Sequence, residues 1–194
     1  VRDGVLFGLQ NYGVSGEEAI ERARDALDAV DAGHLEDRIP HYLSGGEKRL
    51  VGLAGVLALQ PSVIVLDEPL AGLDPERSRL VARHIEQVHR DGVSVVLSTH
   101  DLDFAAEVAD RVCVMADGNI VGCGTPREVF YDDELLATAN LHPPSPVRVA
   151  RSAGLDTSER PVTESELAAA IADASTTDRT ARTVADGTDA DPAP

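Results

Sequence analysis

The sequence predicts an α/β fold, and three observations predict it. Val63-Ile64-Val65-Leu66 and Val93 to Ser98 are short apolar runs of the kind that form parallel strands. Between them, Leu80, Val81, Ile85 and Val88 recur at helical spacing. Strand and helix therefore alternate, as parallel sheets require.

The elements follow in chain order. Ser15-Gly16-Glu17-Glu18 reads as a capping box, with Ile20, Ala23, Leu27 and Val30 on one face of the first expected helix. A second helix is expected from about Gly46 to Leu59, stopped at Gln60-Pro61. The strand 63–66 follows and ends at Asp67 and Glu68. Asp74 caps the next helix, with Pro75 in its first turn, and Asp91-Gly92 closes it. The strand from Val93 ends near His100, and a short helix then passes through Phe104 and Val108. Two small strands, Arg111 to Met115 and Ile120 to Gly122, flank Asp117-Gly118, a strong hairpin turn.

From about Arg151 the composition shifts to Ser, Thr, Asp, Ala and Pro. The expected organisation is one domain over 1–150 and a largely disordered acidic tail over 151–194. That tail has room for one short helix, Glu164 to Ala174, behind Thr163, and the last dozen residues are expected to be unstructured.

The charge is −17, and Lys48 is the only lysine. Residues 1–150 alone hold 25 acids against 13 bases, so the acidity belongs to the expected domain. That balance counts against nucleic acid as a partner. It suits a protein kept soluble at high salt, with an acidic docking face as the rival reading. The longest apolar run, Val51 to Leu59, is far too short to cross a bilayer. Cys113 and Cys123 fit neither a zinc spacing nor a secreted disulfide framework, so they read as inert strand residues in a reducing cytoplasm. His41, His84, His89 and His142 share no ligand spacing and do not read as metal ligands.

Chemistry is expected at the strand ends, where loops of an open parallel sheet converge. Asp67, Glu68 and His100 all fall there. Adjacent carboxylates after an apolar strand suit a magnesium-phosphate site, one oriented toward the cation and one toward a water. A polar strand terminus with capping acids explains that pair equally well. Leu43-Ser44-Gly45-Gly46-Glu47 is more telling, because two glycines after a serine at a helix start present backbone N–H groups with the helix dipole behind them.

LSGGE at 43–47, VIVLDEP at 63–69, AGLD at 71–74 and STH at 98–100 resemble, in order and spacing, the motifs of ABC ATPases. The resemblance implies an ABC-type P-loop NTPase core with a helical signature subdomain. Asp67 then looks like the Walker B aspartate that holds Mg2+, and Glu68 like the catalytic base. His100 resembles the switch histidine, and Asp74 the D-loop residue that communicates across a dimer. Leu43, Ser44, Gly45, Gly46 and Glu47 resemble the signature motif, which in this family contacts ATP held by the opposite subunit.

The pattern is incomplete. No G-x-x-x-x-G-K-[ST] phosphate loop is present, and Lys48 lies in the wrong context to replace it. The adenine-stacking aromatic and the glutamine loop are missing too. Since these precede the signature motif in the family, and the chain opens on Val1, the expectation is an N-terminally truncated ATPase, inactive alone. Leu50 and Leu70 stand where the family usually has arginine and threonine.

VRDGVLFGLQNYGVS at the start, with GTPREVF and ANLHPPSPVRV later, resembles energy-coupling-factor ATPases of the cobalt and nickel import type. That resemblance, covering about 1–149, implies a second ABC ATPase subunit, a membrane coupling protein and a substrate-binding membrane protein as partners. It places the chain at the cytoplasmic face of the membrane. The alternatives are a non-catalytic short product that pairs with a full-length ATPase, and a soluble ABC ATPase outside transport.

Overall fold

A computed structural model describes residues 1–155 and 160–186. The chain divides into two compact units, Val1–His100 and the part from Asp101 onward.

The first unit opens with helices α1 (Arg2–Asn11), α2 (Gly16–Asp28) and α3 (Gly45–Leu57). These pack against one another pairwise. Leu9, Leu27, Val30 and Leu35 are buried in this helical part. Helix α1 lies where the sequence offers no cap: Val1 makes no side-chain capping bond, and Gly4 and Gly8 lower its intrinsic propensity. Helix α2 forms as expected, but without the capping box. Ser15 makes no capping bond, and the Glu18 carboxylate instead accepts from Arg22 at 2.6 Å, one turn along. Ile20 faces outward, and Ala19, Ala23, Ala26 and Leu27 form the buried stripe.

Strand β1 (Val63–Asp67), helix α4 (Pro75–Arg90) and strand β2 (Ser94–Ser98) form a βαβ unit with the strands parallel. The register runs from Val63 opposite Ser94 to Asp67 opposite Ser98. Val81, Ile85 and Val88 are buried on α4, with Leu80 half-buried. The apolar run of β1 is not sunk on both faces. Ile64 is buried, whereas Val63, Val65 and Val96 are exposed, because among the described residues this sheet has two strands and one uncovered face.

The second unit contains α5 (Leu102–Val108), β3 (Val112–Ala116), β4 (Asn119–Gly124), α6 (Pro126–Phe130), α7 (Asp133–Thr138), α8 (Ser145–Ser152) and α9 (Glu164–Asp186). The β3–β4 hairpin turns at Asp117 and Gly118, whose φ of 49° and 74° are what a two-residue primed turn demands. A core of Ala105, Val114, Val129, Phe130, Leu136, Val147 and Val162 holds the unit together.

The cysteines differ from expectation. Cys113 and Cys123 face each other across the hairpin and form a disulfide. Ten residues of separation across a tight turn place them opposite by register alone, a geometry that a search for secreted frameworks does not test.

The C-terminal segment is tied down at its start. The Tyr131 hydroxyl donates to the Pro161 carbonyl at 3.1 Å, and Glu166 accepts from Arg127 and from the Val162 N–H. Helix α9 continues to Asp186 instead of ending at Ala174. Its sequence is rich in alanine, the strongest helix former, and carries no stop signal at that point. Of the last dozen residues, 187–194 lie outside the described residues. No helix of the described residues is long and apolar enough to cross a membrane.

Candidate functional site

The carboxyl ends of β1 and β2 bring Asp67, Glu68, Ser98 and His100 into one hydrogen-bonded group. Asp67 and Ser98 are the last paired residues of the ladder, and the Ser98 hydroxyl donates to Asp67 Oδ1. The next peptide is held the same way, with the Glu68 N–H donating to the Ser98 carbonyl at 3.1 Å and to Ser98 Oγ at 3.3 Å. Glu68 sits at φ 45°, in the left-handed region that costs a non-glycine residue about 1–2 kcal/mol. The turn aims its side chain back toward β2, where His100 Nδ1 lies 2.8 Å from Glu68 Oε1. A carboxylate only accepts, so Nδ1 carries the hydrogen of that pair. The imidazole is 80% exposed at the sheet edge.

A second group surrounds the start of α3. Ser44 is its N-cap, and its hydroxyl accepts from the Glu47 N–H while the Glu47 carboxylate accepts from the Ser44 N–H at 2.7 Å. This closed capping box satisfies two of the donors that every helix start leaves over. The hydrogen bonds from Ser44 hold the Glu47 carboxyl below its ordinary range. Leu43 is buried just before the cap, and Gly45 is exposed at the first position of the helix. Gly46 lies directly under the Arg77 side chain: a Cβ there would lie 2.3 Å from Cδ of Arg77.

Arg77 joins this group to Asp74, the N-cap of α4. Asp74 accepts from the Arg77 N–H at 3.0 Å and from its guanidinium at 3.1 Å. The Arg77 backbone bond, followed by its charge, lowers the Asp74 carboxyl pKa. Arg49, on α3, donates to the Ala71 carbonyl at 3.0 Å and ties the same helix to the 71–74 segment.

The residues singled out by sequence thus fall into two groups, Asp67, Glu68 and His100 in one and Leu43 to Glu47 with Asp74 in the other. Sequence reasoning missed Ser98, Arg49 and Arg77. Ser98 had a usable signal, since it opens the Ser-Thr-His stretch at 98–100 and ends the strand that leads to His100. Among the described residues no group of three or more His, Cys, Asp and Glu side chains is placed to hold a metal by itself. A single carboxylate such as Asp67 still fits Mg2+, which is commonly held by one or two carboxylates, phosphate oxygens and waters.

A family model described as "AAA domain, putative AbiEii toxin, Type IV TA system" matches residues 5–106, the stretch that contains both groups. Curated relatives carry transporter names. Energy-coupling factor transporter ATP-binding protein EcfA of Methanocaldococcus jannaschii is 46% identical over 144 residues, 74% of this chain and 52% of that protein. EcfA2 of Lacticaseibacillus paracasei is 43% identical over 173 residues, 87% of this chain and 60% of that protein. Among solved structures, cbiO1 from Clostridium perfringens, part of the ABC transporter complex cbiONQ, superposes with a TM-score of 0.62 at 34% identity. That match covers 78% of this chain and 58% of the other. The chain belongs to the ABC ATPase family. It shares the fold of ATP-binding cassettes, and it spans about half to three-fifths of the length of these curated relatives. In this ABC ATPase chain the matched stretch holds all four motifs at the positions given above.

Proposed function

We propose that the protein is the ATP-hydrolysing subunit of an energy-coupling-factor importer. The observation that carries the reading is the Glu68–His100 pair beside Asp67 and Ser98 at the carboxyl end of the β1–β2 ladder. Asp67 holds Mg2+ or its waters, and the metal supplies charge stabilisation to the phosphates when bound. Glu68 accepts the proton of the attacking water, and His100 orients that carboxylate while its exposed face meets the terminal phosphate.

The signature group acts in trans. Ser44, Gly45 and Gly46 offer the positive end of α3 to ATP carried by a second ABC ATPase subunit, with Leu43 and Glu47 fixing the loop. Asp74 senses the partner and, through Arg77 packed on Gly46, relays its position to the signature loop. Sandwiching ATP between two subunits excludes water and fixes the phosphate for in-line attack.

The further partners are a membrane coupling protein and a substrate-binding membrane protein, with this subunit at the cytoplasmic face. The names of the relatives, an energy-coupling factor transporter ATP-binding protein and part of an ABC transporter complex, support a transporter assembly, and the two membrane partners rest on the family resemblance. Cobalt, nickel or another micronutrient as cargo rests on the resemblance of the flanking segments at 1–15, 124–130 and 139–149.

The test is turnover of ATP by the natural full-length protein, with its association state followed by light scattering. The reading predicts divalent-cation-dependent hydrolysis that appears with the dimer. Equal turnover per subunit by a monomer would contradict the sandwich.

A further inference from the structure

We propose that Ser98 is a positioning residue for the hydrolytic centre, holding Asp67 and the Glu68 backbone in one arrangement through a single hydroxyl. The inference rests on the ATPase reading above.

A serine hydroxyl has one hydrogen to give and lone pairs to accept. Here the hydrogen goes to Asp67 Oδ1, and the oxygen receives the Glu68 N–H at 3.3 Å. The Asp67 carboxylate is thereby turned so that one oxygen is engaged with β2 and the other is left to the exposed strand end. The Glu68 N–H is shared between this hydroxyl and the Ser98 carbonyl, which steadies a residue at φ 45°. His100 holds the far end of the same Glu68 side chain, so Ser98, the last residue of β2, and His100, two residues beyond it, grip Asp67 and Glu68 together.

A purely structural role explains the contacts less well. Ser98 is exposed at a sheet end, where solvent would satisfy its hydroxyl and burial contributes little. Its value lies in what it orients. Outer partners that orient a metal-holding carboxylate typically change metal affinity or activity by about 10–100-fold when removed.

The experiment uses the natural full-length protein with Ser98→Val, Ser98→Thr and Glu68→Gln. Ser98→Ala is a fourth variant, used where valine disturbs the fold. Turnover and KM for ATP are measured alongside melting temperature and the affinity for Mn2+ in the presence of ATP, read by electron paramagnetic resonance. Ser98→Val is expected to lose about 10-fold in turnover and about 10-fold in Mn2+ affinity. KM for ATP and melting temperature should stay near wild type, and Ser98→Thr, which restores the hydroxyl, should recover both losses. Wild-type turnover and Mn2+ affinity in Ser98→Val, or equal impairment in Ser98→Thr, would overturn the proposal. Full turnover in Glu68→Gln would instead remove Glu68 from the role of base, and no ATP turnover in the wild type would overturn the ATPase reading; in either case the Mn2+ affinities would still decide the role of Ser98.

Discussion

His100 Nδ1 lies 2.8 Å from Glu68 Oε1, one step beyond Asp67 and Ser98, the last pair of the β1–β2 ladder. Parallel register sets this meeting. Each strand ends at the same level, so the residues that follow β1 and β2 emerge side by side, and the left-handed turn at Glu68 directs its carboxylate across the gap.

Replacing His100 with alanine should remove the orientation of Glu68 and the contact offered to phosphate. Steady-state turnover of the natural protein is expected to fall about 10²-fold or more, with folding preserved because the ring is largely exposed. Turnover within a factor of two of wild type would show that His100 is not needed.

Ser44 has two separable duties, capping α3 and presenting that helix end to phosphate. Ser44→Asp keeps a good N-cap but adds a negative charge at the proposed phosphate site. Its melting temperature should match wild type while ATP-driven dimerisation is lost. Ser44→Ala should show the opposite bias, losing about 1 kcal/mol of stability, measured by denaturant unfolding, with a weaker effect on dimerisation. Normal dimerisation by Ser44→Asp would remove the signature loop from the phosphate site.

His84 gives the fold a pH dependence. It is buried on α4, with Nε2 3.4 Å from Asp31 Oδ2 but without a hydrogen bond. Burial lowers its pKa, and the Asp31 charge opposes that shift only in part. A histidine with a folded-state pKa below its unfolded value contributes stability above the unfolded value, about 6.5. That stability is lost as the pH falls from there through the folded value. Melting temperature should drop as the pH falls below about 6.5 in the wild type, and the drop should shrink in His84→Leu. An unchanged profile in that variant would assign the pH dependence to other groups.

Much of this was legible in the sequence because it depends on local signals. The apolar runs at 63–66 and 93–98, the Asp74 cap and the Asp117-Gly118 turn each have a near-neighbour cause, and each element formed within a few residues of its expected bounds. What escaped depends on distant partners. The capping box read at Ser15 is absent and the Glu18 carboxylate pairs with Arg22, whereas Ser44 closes a full box with Glu47. The exposure of Val63 and Val65 on β1 depends on what covers each face of the sheet, which a strand's own residues do not encode. The disulfide and the roles of Ser98, Arg49 and Arg77 come from register and packing across 10 to 31 residues.

The most direct test of the central claim compares wild type and Glu68→Gln in the natural full-length protein, with ATP turnover and ATP-induced dimerisation measured on the same samples. Glutamine keeps the size of the side chain but cannot take the proton of water. The account predicts turnover lower by about 10²–10⁴-fold, with a dimer that forms on ATP addition and persists. Turnover at the wild-type rate, or a variant that no longer binds ATP, would contradict it.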